Sequence, residues 1–330
     1  MQAQDPALSP FSIGLRCTAG RATDVRAAID VGSIVRVHIL RPTWHVVAAE
    51  DLRWLLALTS PKVESSFAAR TRSLGLDGVM VDRAFALIVR ELAGGASATR
   101  AEVARWFSVA GLATHGEQVR HLLVLAELRG LVCSGPTRGR THTYALVDER
   151  IAPTPAVDRD ESVRQLVVRF MVGHGPAAVG DLLRWTTLTK REITGALDDL
   201  GDALDTVTVD GTPLWFAPAA HVRDLARAPR AFLLPTFDEA FASCPSVPFP
   251  RVRDHPLGDQ PYRFAESGGG VVLCDGHDAG WWKRTERGRT HVEIRVAPAG
   301  GLDAEQRDHV MIAAQRLAAF VDREPLIVMV

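Results

Sequence analysis

The stretch Gly130-Leu131-Val132-Cys133-Ser134-Gly135-Pro136-Thr137-Arg138-Gly139-Arg140-Thr141-His142-Thr143-Tyr144-Ala145-Leu146-Val147 decides the fold. Two apolar runs flank a loop that carries glycine, proline and two arginines, which is the composition of a hairpin. Upstream, an apolar-periodic helix runs from Met80 to Ala93 and is stopped by Gly94-Gly95. Ser97 or Thr99 can cap a second helix, Arg100 to Phe107, because a hydroxyl accepts from the open N–H groups of a first turn. A turn at Gly111 leads to Gly116, and a third helix ends near Leu128.

Three helices and then a hairpin form the winged-helix plan, and the plan recurs from Asp160. Ser162 to Val172 reads as a helix broken by Gly173-His174-Gly175-Pro176. Ala178 to Trp185 follows, and Thr189 caps a helix to Leu200. Strands Leu204 to Val209 and Pro213 to Ala217 turn at Asp210-Gly211, a strong hairpin signal. Arg105-Trp106 in the first copy matches Arg184-Trp185 in the second. Tandem repetition accounts for this better than chance likeness between helical segments.

The flanks are less regular. Ala22 to Asp30 reads as a helix, Ser33 to Leu40 and Trp44 to Val47 as strands around the turn Arg41-Pro42-Thr43, and Ala49 to Thr59 as a helix. Beyond Pro229 come a strand, Ala231 to Pro235, and a Pro- and Gly-rich region to Gly270. Short strands follow at Val271 to Cys274, Ala279 to Lys283 and Thr290 to Val296, then a helix from Asp303 to Val321 and a last strand, Pro325 to Val330. The expected fold class is α+β: tandem winged-helix (helix-turn-helix) domains with a C-terminal antiparallel β-barrel-like module. The expected divisions are 1–75, a first winged helix lacking its opening helix; 76–152; 158–222; and 228–330.

Apolar content of 47% and charged content of 23% are those of a globular protein, and 330 residues suffice for two to four domains. No apolar run is long enough to span a bilayer and no signal peptide is visible, so no membrane partner and a cytoplasmic, nucleoid-associated location are expected. Cys17, Cys133, Cys244 and Cys274 lack metal-ligand spacing, so neither a metal nor a cofactor is expected. The net charge of −1 announces no nucleic-acid binder, yet the cations are nearly all arginine, with only Lys62, Lys190 and Lys283 as lysines. Arginine forks suit phosphates, base edges and carboxylates alike, and a high-GC genome gives the same bias.

Four markers carry a resemblance: Gln2-Ala3-Gln4 followed by Asp5-Pro6; Arg41, Thr43 and His45 in Arg-x-Thr-x-His; Leu233-Leu234-Pro235-Thr236-Phe237-Asp238-Glu239; and Trp282-Lys283-Arg284-Thr285. Each is weak, but their order and spacing are specific. Over nearly its whole length the chain resembles the winged-helix DNA glycosylases of the AlkZ and YcaQ type, which excise alkylated bases, including crosslinked ones. The resemblance implies that Gln2 and Gln4 hold the catalytic water and face the sugar as it gains positive charge. Two departures stand out. The family carries a helix ahead of its Gln-x-Gln, which predicts an in-frame upstream extension of roughly thirty residues encoding an amphipathic helix. After Asp238-Glu239 this chain has Ala240-Phe241-Ala242-Ser243 where the family has an aromatic and a Gly-Tyr pair.

The residue types restrict the chemistry. A glutamine amide orients a water but takes no proton from it near neutral pH. Such a site suits a leaving group that is already activated, such as an N3- or N7-alkylated purine, whose positive charge removes the need for protonation. The alternative for Gln2 and Gln4 is a frayed terminus.

His45 lies two residues beyond Thr43, on the same face of an extended segment, and is a third candidate for the site. Arg36 and His38 also share a face, open to solvent or DNA. Arg138, Arg140 and His142 at the first wing, and Lys283, Arg284 and Arg289 at a C-terminal hairpin, are candidate DNA contacts beside Arg41 and Thr43. A solvated hairpin tip is the alternative for both groups. Asp238 and Glu239 suit a structural or helix-capping role.

The expected function is repair of double-stranded DNA by a monomeric, monofunctional glycosylase acting on cationic alkylated or crosslinked bases. No motif lysine is present for a Schiff-base step. The alternative is a non-catalytic winged-helix DNA-binding protein or transcriptional regulator.

Overall fold

The structure, a computed structural model, describes residues 1–112, 115–218, 228–242 and 268–330. In chain order the elements are α1 (Ser9–Gly14), α2 (Ala22–Val31), β1 (Ile34–His38), β2 (Trp44–Ala48), α3 (Leu52–Ser73), α4 (Gly78–Leu92), β3 (Ala98–Thr99), α5 (Arg100–Val109) and α6 (Gly116–Leu128). They continue with β4 (Val132–Ser134), β5 (Thr143–Leu146), α7 (Val147–Arg150), α8 (Arg159–His174), α9 (Val179–Trp185), α10 (Lys190–Leu200), β6 (Asp205–Val209) and β7 (Thr212–Phe216). The last are β8 (Ala231–Pro235), α11 (Glu239–Ala242), β9 (Gly269–Cys274), β10 (His277–Arg287), β11 (His291–Pro298), α12 (Ala304–Phe320) and β12 (Glu324–Met329). The fold is mixed α+β. Most of the Pro- and Gly-rich stretch, with Cys244 and Ser243, lies outside the described residues. Among the described residues no helix is long and apolar enough to cross a membrane.

The chain forms two compact units. One holds Arg26–Leu166 and Trp185–Ala196; the other holds Met1–Val25, Val167–Arg184 and Leu197–Val330.

In the first of these units, Asp77 caps α4 by accepting from Met80 N at 2.7 Å. Of the two expected caps for α5, Thr99 is the one used. Its hydroxyl accepts from Glu102 N, and the Glu102 carboxylate accepts in return from Thr99 N at 2.7 Å. The helices α4, α5 and α6 accompany a three-stranded sheet in the order β3-β5-β4, with β3 entering between α4 and α5 in the chain. Their apolar faces meet in one core that includes Ile88, Phe107, Leu122, Val132 and Tyr144. Phe107 is fully buried, and truncating such a side chain costs about 3–5 kcal/mol. The helix expected to end at Thr59 runs on to Ser73 despite Pro61. The carbonyls of Leu58 and Thr59, just ahead of the proline, accept from Arg159 and Thr187.

Thr189 caps α10 through a reciprocal pair with Glu192, as its position predicts. The Asp210-Gly211 turn joins β6 to β7 with φ of 49° and 75°, the left-handed pair that a tight hairpin demands.

In the other unit the C-terminal strands form an open five-stranded sheet, β12-β11-β10-β9-β8, and not a closed barrel. The expectation of an antiparallel module is also corrected at one edge, because β11 and β12 run parallel. The helix α12 lies between them in sequence and carries the chain back to the starting end, so the next strand must run the same way. Along β11 the alternation of the sequence buries Val292, Ile294 and Val296. Trp281 and Trp282 are both buried, and the Trp282 indole donates to Leu234 O at 3.0 Å. Gly270 lets β9 close onto β8, since a Cβ there would lie 1.9 Å from Leu234 O.

Candidate active site

The segment carrying Gln2 and Gln4 is held along its length. Asp5 turns it, its carboxylate accepting from Ala7 N at 2.7 Å and Leu8 N at 3.2 Å. The turn leads into α1, whose Phe11 is buried edge-on to Trp282 and tilted against Phe320, with ring centroids 6.4 and 5.3 Å away. Arg284, expected at DNA, donates to Ala7 O at 2.7 Å. Gln2 is 8% exposed and therefore packed, which is not the state of a frayed terminus. Gln4 is exposed.

Two adjacent carboxylates hold the ends of this segment. Asp238 is fully buried and takes both guanidinium nitrogens of Arg16, at 2.8 and 3.0 Å. Burial pulls the Arg16 pKa down, but the hydrogen bond and charge of Asp238, with Glu239 behind it, outweigh that pull and raise it. Asp238 also accepts from Ala240 N at 3.0 Å, the capping role expected for it. Glu239 accepts from the Gln2 backbone N–H at 2.5 Å, and Met1 N lies 3.7 Å from the same oxygen. Its other oxygen is 3.6 Å from His174 Nε2.

The second marker sits in the other unit, on the turn between β1 and β2. Leu40 adopts φ of 65°, a left-handed conformation rare for a bulky residue, and its N–H donates to Thr59 Oγ1 at 3.2 Å. The N–H groups of Arg41 and Thr43 reach back two residues, to Ile39 O and Arg41 O, each at 2.7 Å. The Thr43 hydroxyl is buried with no hydrogen-bond partner among the described residues. His45 is fully buried, and its Nδ1 donates to Thr43 O at 3.0 Å. Arg41 is half-buried.

Arg36 and His38 do not present an open face. Both are buried, in a cluster around Glu127. His38 Nδ1 pairs with Glu127 Oε2, the Trp44 indole donates to Glu127 Oε1 at 3.3 Å, and the Arg36 guanidinium lies 4.1 Å over the Trp44 ring. His142 joins this region, edge-on to Tyr144 at 4.7 Å. Burial first, and then the positive Arg36, push its pKa down to about 4 against the opposing charge of Glu127, so it is neutral at pH 7.

At the first hairpin tip Arg138 is paired with Glu102 at 2.8 Å, while Arg140 is exposed. The Thr99 contacts, foremost, and Arg138 hold the Glu102 carboxyl down at about 2. At the C-terminal hairpin Lys283 is half-buried and Arg289 is exposed.

Three residues emerge that the sequence reading passed over as participants: Glu127, Glu239 and His174. Glu127 had a visible signal, a lone charge at the end of the apolar run Leu122-Leu123-Val124-Leu125-Ala126. Glu239 was assigned a local role, and its partner Gln2 is too distant in sequence for spacing to reveal. His174 lay in an expected helix break, but α8 runs on to it as its last residue.

The family described as "DNA glycosylase AlkZ-like" matches residues 1–320. The Interstrand DNA cross-link repair glycosylase of Streptomyces sahachiroi is 25% identical over 323 residues, covering 90% of this chain and 82% of that protein. The solved structure of Streptomyces sahachiroi DNA glycosylase AlkZ superposes with a TM-score of 0.71 at 23% identity, covering 100% of this chain and 91% of that one. The chain belongs to the AlkZ-like DNA glycosylase family.

Proposed function

We propose that the protein is a monofunctional DNA glycosylase that excises cationic alkylated purines, N3- or N7-substituted or crosslinked, from double-stranded DNA. Gln2 and Gln4 position the attacking water, while His45, on β2 of the other unit and fully buried, orders the Arg41–Thr43 turn through Thr43 O. The observation that carries this reading is the immobilisation of the Gln2 peptide, buried and bonded to Glu239, in a chain of this family. A side chain that cannot act as a base is useful only when it is held in place.

The DNA is gripped by winged helices. The order α4-β3-α5-α6-β4-β5, with β5 central in its sheet, supports a winged helix at 76–152, and α8-α9-α10-β6-β7 supports another at 158–222. Segment 1–75 is read as the first winged helix and 228–330 as the C-terminal module. Arg140, Arg289, Arg41 and Lys283 are the proposed phosphate contacts, with Arg138 recruited from its pair with Glu102. The chain works as a monomer on nucleoid DNA in the cytoplasm.

The test is base release from duplex DNA containing N7-methylguanine, set against uracil-containing duplex. Release of methylguanine and not uracil, abolished in Gln2→Ala with Gln4→Ala while DNA binding persists, is the expected result. Binding without release from either duplex would favour a non-catalytic DNA-binding protein.

A further inference from the structure

We infer that Glu239 is a positioning residue for base excision, acting through the backbone of Gln2; the inference rests on the proposed catalytic role of Gln2. The carboxylate is buried, and its Oε1 takes the Gln2 N–H at 2.5 Å. A hydrogen bond to an ionised acceptor is about twice as strong as a neutral one. It fixes the peptide plane ahead of Gln2, and so the direction in which the side chain leaves the backbone.

The surroundings fix the carboxylate in turn. Its second oxygen faces His174 Nε2 at 3.6 Å, and His174 is stacked on Phe170 with ring centroids 4.4 Å apart. On the next residue, Asp238 locks Arg16 through two bonds. Two consecutive acidic residues thus tie down residues 2 and 16 of one segment. A buried carboxylate is an expensive way to fill space, since apolar packing is often as stable or more so. Its use here fits a demand for direction, because an apolar contact does not orient a peptide plane.

The experiment is single-turnover excision of N7-methylguanine from duplex DNA by the full chain, with binding affinity measured in parallel. The variants are Gln2→Ala, Glu239→Ala, Glu239→Gln, Glu239→Asp and the double variant Gln2→Ala with Glu239→Ala. Glu239→Ala is expected to slow excision about tenfold to a hundredfold, with affinity changed less than about threefold. Glu239→Gln, whose amide oxygen still accepts from Gln2 N–H, is expected to retain most of the rate. Glu239→Asp keeps the charge but withdraws it by one methylene, and is expected to be slow at an unchanged melting temperature.

The double variant is expected to be no slower than Gln2→Ala. Additive losses in the double variant, or a fast Asp variant beside a slow Gln variant, would overturn the positioning role. Wild-type excision by Glu239→Ala alongside an inactive Gln2→Ala would overturn it too, and would leave the catalytic reading of Gln2 standing. If Glu239→Ala fails to fold, the Gln and Asp variants decide by the same ordering. Full activity in Gln2→Ala would remove the catalytic reading itself.

Discussion

The Trp44 indole N–H donates to Glu127 Oε1 at 3.3 Å, while His38 pairs with the other oxygen of the same carboxylate. One fully buried glutamate on α6 therefore fixes both residues that flank the β1–β2 turn, His38 and Trp44, which face each other in the strand register.

Glu127→Ala should cost about 3–5 kcal/mol, because it strands His38 and the indole N–H in the interior. Glu127→Gln keeps an acceptor for the indole and should cost less. Urea unfolding of both variants measures the difference; a loss under about 1 kcal/mol for the alanine would contradict the assignment.

Arg16→Ala leaves the Asp238 carboxylate buried without its bidentate partner. Arg16 is 41% exposed, so solvent screening trims the loss to about 1–3 kcal/mol. Arg16→Lys should recover part of it, since an ammonium cannot make the two parallel bonds. Limited proteolysis should then cut more readily within the first twenty residues.

Acid should weaken the protein through His142. Its folded pKa, about 4, lies below the ordinary 6.5, so between these values the unfolded chain takes up a proton that the folded one refuses. Stability from this group is unaffected above pH 6.5 and falls as pH drops toward 4, by about 2–3 kcal/mol in all. His142→Asn should flatten that part of the profile. Unfolding free energies at pH 7 and pH 5 for the two proteins make the comparison.

Arg140→Ala and Arg289→Ala should each weaken DNA binding without changing its sequence preference, and each should lower the slope of log affinity against log salt by about one. Arg36→Ala should act differently. It removes a buried stacking partner of Trp44, and a drop in melting temperature should accompany any loss of affinity.

Elements governed by local chemistry could be read from the sequence. The capping pairs Thr99–Glu102 and Thr189–Glu192 and the Asp210-Gly211 turn lie where residue preferences place them, because each depends on neighbours three or fewer residues apart. The full length of α3 was not legible, because Arg159 and Thr187, more than a hundred residues away, bond to its Leu58 and Thr59 carbonyls. The parallel β11–β12 edge was hidden for a related reason: an apolar strand looks the same in either direction. At the candidate site, residue types and order exposed Gln2 and the β1–β2 turn, whereas the burial of Arg36 and His38 did not show. Alternation marks which residues share a face, but only the packed partner decides whether that face meets water.

The bond from Gln2 to Glu239 spans 237 residues and that from Arg284 to Ala7 spans 277. During translation these partners leave the ribosome roughly ten to fifty seconds apart. For that interval the Gln2 N–H has no Glu239 carboxylate to donate to, nor Arg16 an Asp238. Arrested chains stopped before Asp238 should accordingly be cut more readily within the first twenty residues under limited proteolysis than the full chain.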